Sequence, residues 1–226
     1  MNTALIELAA TTLGNLVDDV IFVGGATVEL WITDPAAPPV RATIDIDVVI
    51  EATTQSSYHA FGKRLKQKGF REDHTSKIAH RWKHDNSGLI LDVLSGFGSS
   101  NRWLTQLPTQ SARYKLPSGT EIHTASTPHL LATKIEAFLD RGNNDFSASK
   151  DFADIITLID GREEITTDVN DANPDIKTFL SEQLAQMSND PRFEFGIQAQ
   201  LPPDPASQQR GTTVVLPRIK TLISLT

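Results

Sequence analysis

The segment TIDIDVVI, residues 43–50, places two acidic residues in what otherwise has the pattern of a buried β-strand. The apolar residues alternate along it and predict one buried face of a sheet: Ile44, Ile46, Val48 and Ile50. Asp45 and Asp47 then share the opposite face, about 6.6 Å apart. At an effective dielectric constant of about 20, their charges repel by roughly 2.5 kcal/mol. The strand therefore needs either a divalent cation or a solvent-facing edge here, and by itself it does not decide between them.

The composition is that of an ordinary globular protein, and 226 residues suffice for one large domain or a domain with a modest appendage. The absence of cysteine excludes disulfides, a thiolate nucleophile and a cysteine-based zinc site. The segment MNTALIELAATTL lacks a basic leader, and no apolar run reaches the length of a membrane span. We therefore expect a cytoplasmic protein with no membrane partner.

The net charge of −7 argues against a broad surface that coats nucleic acid, but it leaves room for a local basic patch. The densest candidate, called the basic segment below, contains Lys63, Arg64, Lys66, Lys68 and Arg71. Arg81 and Lys83 in a neighbouring predicted strand are further candidates. Such a run is also typical of the solvated face of a helix, and both interpretations stay open.

Periodicity predicts an α+β fold, with a mixed sheet in the front half followed by helices. Strands are predicted in VIFVGG, TIDIDVVI, IAHRWKHD, GLILDVLSG and TEIHTAS, with DNSG as a hairpin turn. Helices are predicted at the N-terminus, in TTQSSYHAFGKRLKQKGF, from Thr127 to about Arg141, after the cap Ser149, near 176–187 and near 214–225. The segment NDPRFEFGIQAQLPPDPAS is the least regular part. We expect two domains, 1–125 and 126–226.

Gly24 and Gly25 stand where the first predicted strand meets helical sequence. Glycines at such a junction let backbone N–H groups approach a phosphate closely. A tight turn that needs a positive φ explains the pair about as well.

Asp92 lies in LILDVL, an otherwise apolar predicted strand, where an unpaired buried charge would be costly. If this strand neighbours the aspartate strand, Asp45, Asp47 and Asp92 form a cluster of three carboxylates. Magnesium is bound by few carboxylates together with water and substrate phosphates. Taken alone, Asp92 is also typical of an edge or turn-facing residue.

Lys134 lies beside the apolar stripe of its predicted helix, because Leu130 and Phe138 are four residues away on either side. It is either a lysine that extends its amine to solvent or a phosphate ligand. Asp151 and Asp154, one turn apart on the next helix, are candidates for ion pairs with Lys134 or Arg141. Such pairs can also be purely structural.

FVGGATVELW, followed by RATIDIDVVIE and a third strand aspartate, resembles the nucleotidyltransferase fold of the DNA polymerase β superfamily. In that fold a Gly-Gly or Gly-Ser turn precedes an Asp-x-Asp strand. The run STPHLLATKIEAFLDRGNNDFSASKDFADIITLIDGREEI is similar to the AbiEii/AbiGii-type group, which includes bacterial toxins of toxin–antitoxin systems. The resemblance covers about residues 21–165. It implies a nucleotidyltransferase-like mixed sheet flanked by helices, with the helical region 126–226 completing the active site.

The resemblance also implies transfer of a nucleoside monophosphate from an NTP to an acceptor, with pyrophosphate leaving. Two magnesium ions, with Mn²⁺ as an alternative, would stabilise the attacking and leaving oxygens. The metal ligands it implies are Asp45, Asp47 and Asp92. The nucleotide-binding residues it implies are Gly24, Gly25, Thr43, Lys134 and Asp154. The catalytic residues it implies are Asp45, Asp47, Asp92, Lys134 and Asp151, with either Asp92 or Asp151 as the base.

For the acceptor, the end of an RNA such as a tRNA is favoured over a protein hydroxyl, and a cognate antitoxin protein is a further expected partner. A metal-dependent phosphodiesterase or nuclease also uses clustered carboxylates, but it gives no reason for the Gly-Gly pair or for Lys134. A catalytically inactive family member that binds a partner protein is the second alternative. Dependence on NTP separates the first alternative from nucleotidyl transfer.

Overall fold

The computed structural model describes residues 1–95 and 101–225, and the chain packs into two compact units. The first comprises Met1–Glu29 and Arg41–Ser126, and the second comprises Leu30–Val40 and Thr127–Thr226. By packing, the proline-rich segment Leu30–Val40 thus belongs with the C-terminal residues. The division of function between 1–125 and 126–226 stays a prediction.

The first unit is built on a mixed seven-stranded sheet, which confirms the predicted fold class. In chain order its strands are β1 (Val20–Val23), β2 (Asp45–Ile50), β3 (Phe70–Glu72), β4 (Arg81–His84), β5 (Ile90–Ser95), β6 (Ala112–Lys115) and β7 (Glu121–Thr124). Their order across the sheet is β3-β4-β5-β2-β1-β7-β6. The pairs β2–β5 and β1–β7 are parallel, and the other neighbouring pairs are antiparallel. The aspartate strand β2 therefore lies at the centre of the sheet.

Helices of the first unit are α1 (Asn2–Leu13), α2 (Gln55–Gln67) and α3 (Arg102–Gln110), with a 3₁₀ helix at Gly14–Asp19. A second 3₁₀ helix, Ala26–Trp31, follows β1 and runs across the boundary between the units. The helix α2 begins at a capping box, in which Thr54 and Ser57 each accept a hydrogen bond from the other's backbone N–H. It ends before Gly69, whose φ of 84° requires a residue without a Cβ.

The core of the first unit contains the residues of β2 and β5 that point away from the acidic face, among them Ile46, Val48 and Leu91. Trp82 of β4 is buried beside Gly62 of α2, where an added Cβ would lie 3.0 Å from the indole ring. Ile44, predicted as part of the buried face, is 75% exposed and precedes the strand, which begins at Asp45. That prediction was wrong because the alternation starts with the sheet pairing, one residue later.

The second unit is helical among its described residues, with α4 (Thr127–Arg141), α5 (Lys150–Gly161), α6 (Ile165–Asn170), α7 (Pro174–Ser188), α8 (Phe193–Gln200), α9 (Pro205–Arg210) and α10 (Leu216–Ile223). A short π-helical turn, Gly211–Val215, joins the last two. The Ser149 hydroxyl accepts a hydrogen bond from the Phe152 backbone N–H, which confirms the predicted cap of α5. Four aromatic rings pack at centroid distances of 5.0 to 5.9 Å: Phe138, Phe146, Phe152 and Phe193.

The segment Leu30–Val40 is held in the second unit by specific hydrogen bonds. The backbone N–H groups of Thr33 and Asp34 both donate to the carbonyl of Gly161, each at 2.9 Å. The guanidinium of Arg210 donates to the Asp34 carboxylate at 2.6 Å. This proline-rich segment is therefore anchored along its first half.

Several elements differ from the prediction. NDPRFEFGIQAQLPPDPAS, predicted to be the least regular part, contains α8 and the start of α9, since Phe193 and Ile197 are buried and Asp204 caps α9. The short strands β3 and β6 and the helix α3 were not predicted. Among the described residues, no helix has both the length and the apolar character needed to cross a bilayer.

Candidate active site

The three predicted strand carboxylates lie on neighbouring strands of the sheet. Residues Asp47 and Asp92 are partners in the parallel β2–β5 register, and Asp45 pairs with Ile90. Partners in register share a face of the sheet, and so do residues two apart on one strand. Asp45, Asp47 and Asp92 therefore share one face. The sequence predicted this cluster only if the two strands are neighbours, and they are.

A guanidinium group joins two of these carboxylates. Arg81 of β4 donates from Nε to Asp92 Oδ1 at 2.8 Å and from Nη2 to Asp92 Oδ2 at 2.7 Å. The same Nη2 donates to Asp45 Oδ2 at 2.6 Å. The hydrogen bonds that Arg81 donates to Asp92 and the charges of both acids raise the pKa of Arg81 above its usual value. We call this arrangement of Arg81, Asp45 and Asp92 the carboxylate clamp.

The clamp corrects the prediction that Arg81 contacts RNA phosphates, because its guanidinium is already engaged by two acids. The pairing of Arg81 with Asp92 could have been predicted from the sequence. Counting outward from the turn residues Asn86 and Ser87, Arg81 and Asp92 are each five residues away, and the structure pairs them. A hairpin register drawn from DNSG would thus have placed the arginine opposite the buried aspartate.

The Gly-Gly turn lies against the third carboxylate. Val23 pairs with Asp47 in the antiparallel β1–β2 register, so Gly24 directly follows that pair. Gly24 has a φ of 80°, and a Cβ added to it would overlap Asp47 Oδ2. The need for glycine is thus both conformational and steric. Gly25 is buried, and the helical sequence predicted after it forms a six-residue 3₁₀ helix.

Thr43 lies just before β2. Its backbone N–H donates to the Asn2 side chain at 3.1 Å, and its hydroxyl donates to the Asp45 carbonyl at 3.3 Å. These bonds fix the entry into the aspartate strand. The nucleotide-binding role implied for Thr43 and for Gly25 stays a prediction.

The second unit contains a buried ion-pair cluster between α4 and α5. Lys134 Nζ lies 2.6 Å from Asp154 Oδ2 and 3.5 Å from Asp151 Oδ1, and all three side chains are at most 9% exposed. Arg141 binds Asp151 with two hydrogen bonds, of 2.8 and 3.0 Å. Burial raises the pKa of Asp151, but the Arg141 hydrogen bonds and the Lys134 charge outweigh it, so the net pKa is lowered. The pairing predicted among these residues is therefore present, and its role in nucleotide binding stays a prediction.

The residues of the first unit suit a divalent cation by their chemistry. Three carboxylates on one sheet face offer the hard oxygen ligands that Mg²⁺ and Mn²⁺ prefer. The steric cradle at Gly24 leaves room for the Asp47 carboxylate in this group. The described residues do not contain a group of three or more acidic, histidine or cysteine side chains already arranged around one metal position. The three carboxylates are therefore suitable ligands by chemical type, but they are not gathered around one point, and a guanidinium spans Asp45 and Asp92.

Comparison with known proteins assigns the family. The profile of the family described as nucleotidyl transferase AbiEii toxin, type IV TA system, matches residues 8–193. The chain belongs to the AbiEii family. As a family member it is a nucleotidyltransferase of a toxin group from type IV toxin–antitoxin systems, in agreement with the resemblance drawn from the sequence.

A solved structure agrees with the fold of this AbiEii protein. It is the crystal structure of an antigenic nucleotidyltransferase-like protein from Paracoccidioides brasiliensis, with a TM-score of 0.51 and 20% sequence identity. The match covers 88% of the AbiEii chain and 92% of the fungal chain. No curated protein matches the chain. Nucleotidyltransferases of this kind generally depend on divalent metals, which agrees with the carboxylates on β2 and β5.

Proposed function

We propose that this AbiEii protein uses magnesium to transfer a nucleoside monophosphate from an NTP to an acceptor, and that the acceptor is the end of an RNA such as a tRNA. The observation that carries the proposal is the position of Asp45, Asp47 and Asp92 on one face of two paired parallel strands. Acidic residues that serve only to keep a surface soluble do not have to lie together on one face of neighbouring strands. Mn²⁺ would satisfy the same oxygen ligands, and a cognate antitoxin protein would counteract the activity.

The residues of the first unit would have different roles in this reaction. Asp45 and Asp47 present carboxylate oxygens from alternate positions of one central strand, so their spacing is fixed by the sheet. Asp92 is held by the fork of Arg81, which fixes the orientation of its carboxylate. Gly24 has a positive φ and lies against the Asp47 carboxylate, so its backbone comes close to the acidic face, where a phosphate held by magnesium would bind. Magnesium bound at the carboxylates would neutralise charge on the phosphoryl oxygens and on the leaving pyrophosphate.

The resemblance assigns Lys134 to the triphosphate and Asp151 or Asp154 to its support. The buried pairing of Lys134 with both acids is compatible with a preorganised cation, because its ammonium is held in one place. It is equally what a structural brace requires. We therefore treat Lys134 as a candidate nucleotide ligand whose stability and binding effects must be measured separately.

The choice of an RNA acceptor rests on the basic segment and its surroundings. Three of its cations pair with acids: Arg64 with Asp19, Lys66 with Glu72 and Arg71 with Asp85. Lys63 and Lys68 have no ion-pair partner within the described residues. A cavity of about 220 Å³ beside α2 is lined by Lys63 and Lys66 together with the half-buried Tyr58 and the exposed His59, while the buried Trp82 forms part of its wall. Basic and aromatic side chains together are typical of surfaces that bind single-stranded nucleic acid.

The proposal is tested with purified protein, each of the four NTPs labelled at the α-phosphate, Mg²⁺ or Mn²⁺, and total cellular RNA and protein. We expect label from a preferred NTP on RNA, and its loss in Asp47→Asn. Asp18→Asn is the matched control, because it makes the same change at an exposed carboxylate outside the sheet. Label on protein alone would refute the RNA acceptor. RNA cleavage without NTP would favour a hydrolase, and no reaction with any NTP would favour an inactive binding module.

A further inference from the structure

The carboxylate clamp consists of two contacts of unequal strength. Asp92 receives two hydrogen bonds from Arg81, and its side chain is 6% exposed. Asp45 receives a single hydrogen bond, and its side chain is 29% exposed. A bidentate pair away from water is harder to break than one hydrogen bond at a wetter position. The contact with Asp45 is therefore the one that can open while the contact with Asp92 persists.

The clamp is built into the sheet. Arg81 and Asp92 face each other in the antiparallel β4–β5 register. The Arg81 carbonyl accepts a hydrogen bond from the Asp73 N–H at 2.9 Å, and its own N–H donates to Ile78 at 3.4 Å. With the backbone held on both sides, only the guanidinium end of this residue is able to move between the acids.

Arg81 and a divalent cation are both positively charged and are both attracted to the same carboxylates. Asp45, Asp47 and Asp92 carry three negative charges on one face, and Arg81 supplies one positive charge at hydrogen-bonding distance. Asp45 Oδ2 accepts a hydrogen bond from Arg81 Nη2, so a divalent cation that binds through this oxygen competes with the guanidinium for it. Losing a charged hydrogen bond costs free energy that is subtracted from the metal affinity.

We propose that Arg81 is a tethered cation that competes with the divalent metal for Asp45. In the metal-free protein it neutralises the acidic face and stabilises the fold. When metal binds, Asp45 is released and Arg81 stays on Asp92. Arg81 thereby raises the metal concentration at which the site is filled. This inference rests on the proposed metal-dependent function and concerns a residue to which that function assigns no metal contact.

The test compares wild type with Arg81→Gln, using Mn²⁺ binding followed by electron paramagnetic resonance and the melting temperature in EDTA. We expect Arg81→Gln to bind Mn²⁺ about tenfold more tightly, which is the scale of one charged hydrogen bond. We also expect it to melt at a lower temperature in EDTA, because three carboxylates then repel one another. Excess Mn²⁺ should recover more of the melting temperature in the variant than in wild type.

Lys83→Gln is the matched control, because it removes one positive charge from the same strand at an exposed position opposite Ile90. It should change Mn²⁺ affinity by less than about twofold, since exposed charges are screened. If Arg81→Gln does not fold, Arg81→Lys serves instead. A lysine keeps the charge but cannot make both bonds to Asp92 and one to Asp45, so Mn²⁺ binding should tighten by a smaller factor.

Unchanged or weaker Mn²⁺ binding by the Arg81 variants, with wild type binding normally, would overturn the competition and leave the metal site intact. An equal effect of Lys83→Gln would also overturn it, since the cause would then be general charge. If wild type and every variant fail to bind Mn²⁺, both the tethered cation and the metal-dependent function are wrong. The two failures are thus distinguishable.

Discussion

Gly24→Ala should be among the most damaging single-methyl changes in the first unit. Its φ of 80° lies in the left-handed region, where a residue with a Cβ costs about 1–2 kcal/mol. The new methyl would also overlap Asp47 Oδ2 and lie 2.7 Å from Cγ and 2.9 Å from Cβ of that aspartate. Since the overlap reaches Cβ, a small rotation of the carboxylate does not remove it. Overpacking of this kind adds about 1–3 kcal/mol, which gives a total loss of about 2–5 kcal/mol.

Gly119→Ala isolates the backbone part of this loss. Gly119 has a φ of 89°, and an added Cβ would meet nothing within 4 Å. It should therefore lose only about 1–2 kcal/mol. Urea denaturation at neutral pH measures both free energies of unfolding, and Mn²⁺ binding reports on the Asp47 carboxylate. We expect Gly24→Ala to lose Mn²⁺ binding and Gly119→Ala to keep it.

A double-mutant cycle with Asp47→Ala assigns the difference to the overlap. Removing the carboxylate should recover most, but not all, of the about 1–3 kcal/mol of overpacking, because the contact with Cβ at 2.9 Å remains. If Gly24→Ala is no more destabilising than Gly119→Ala, or if the cycle shows no coupling, the steric reasoning about Gly24 and Asp47 is wrong.

Four further predictions concern the buried cluster and the basic segment. Lys134→Met should lower the free energy of unfolding by about 3–5 kcal/mol, because Asp154 is 1% exposed and loses its 2.6 Å ion pair; NTP affinity must then be measured below the melting temperature. Arg141→Met should cost less than about 1 kcal/mol, since that side chain is 69% exposed. The pKa of Asp151 is lower in the folded protein than in the unfolded chain. Its ionised carboxylate therefore stabilises the fold above the unfolded pKa, and this stabilisation is lost as the pH falls through the folded pKa. The difference in free energy of unfolding between wild type and Asp151→Asn should shrink below about pH 4. Changing the lysines of the basic segment to glutamine should weaken RNA labelling and lower the salt slope by about 0.7–0.9 for each lost phosphate contact, with NTP binding unchanged; labelling equal to wild type would make the segment a solvated helix face.

The sequence was sufficient where a local pattern carried the signal. The alternation in β2, the hairpin turn before β5 and the cap at Ser149 each depend on a few adjacent residues, and each was predicted. The proximity of Asp47 and Asp92 was predicted only on the condition that their two strands are neighbours. Parallel strands are not joined by a short turn, so the sequence between them does not show that they pair.

What was missed depends on contacts between distant parts of the chain or on very short elements. The strand β3 has three residues, too few for a period to be recognised, and β6 has no buried residue that would give an apolar alternation. The clamp was missed because Arg81 was assigned to the basic patch by charge alone, without the hairpin register. The place of Leu30–Val40 in the second unit could not be foreseen, because its ion-pair partner Arg210 lies far along the chain.

The bond between Asp34 and Arg210 has a consequence for biosynthesis. The two residues are separated by 176 positions, and the second unit needs both. At a translation rate of about 5–20 residues per second, Asp34 is added to the chain about 9–35 s before Arg210. During that interval the first unit can form its sheet. The segment Leu30–Val40 stays without its anchor until the part of the second unit that contains Arg210 has been synthesised. A chain released by premature termination before Arg210 therefore lacks this anchor, and the bond that holds Leu30–Val40 cannot form until Arg210 has been added.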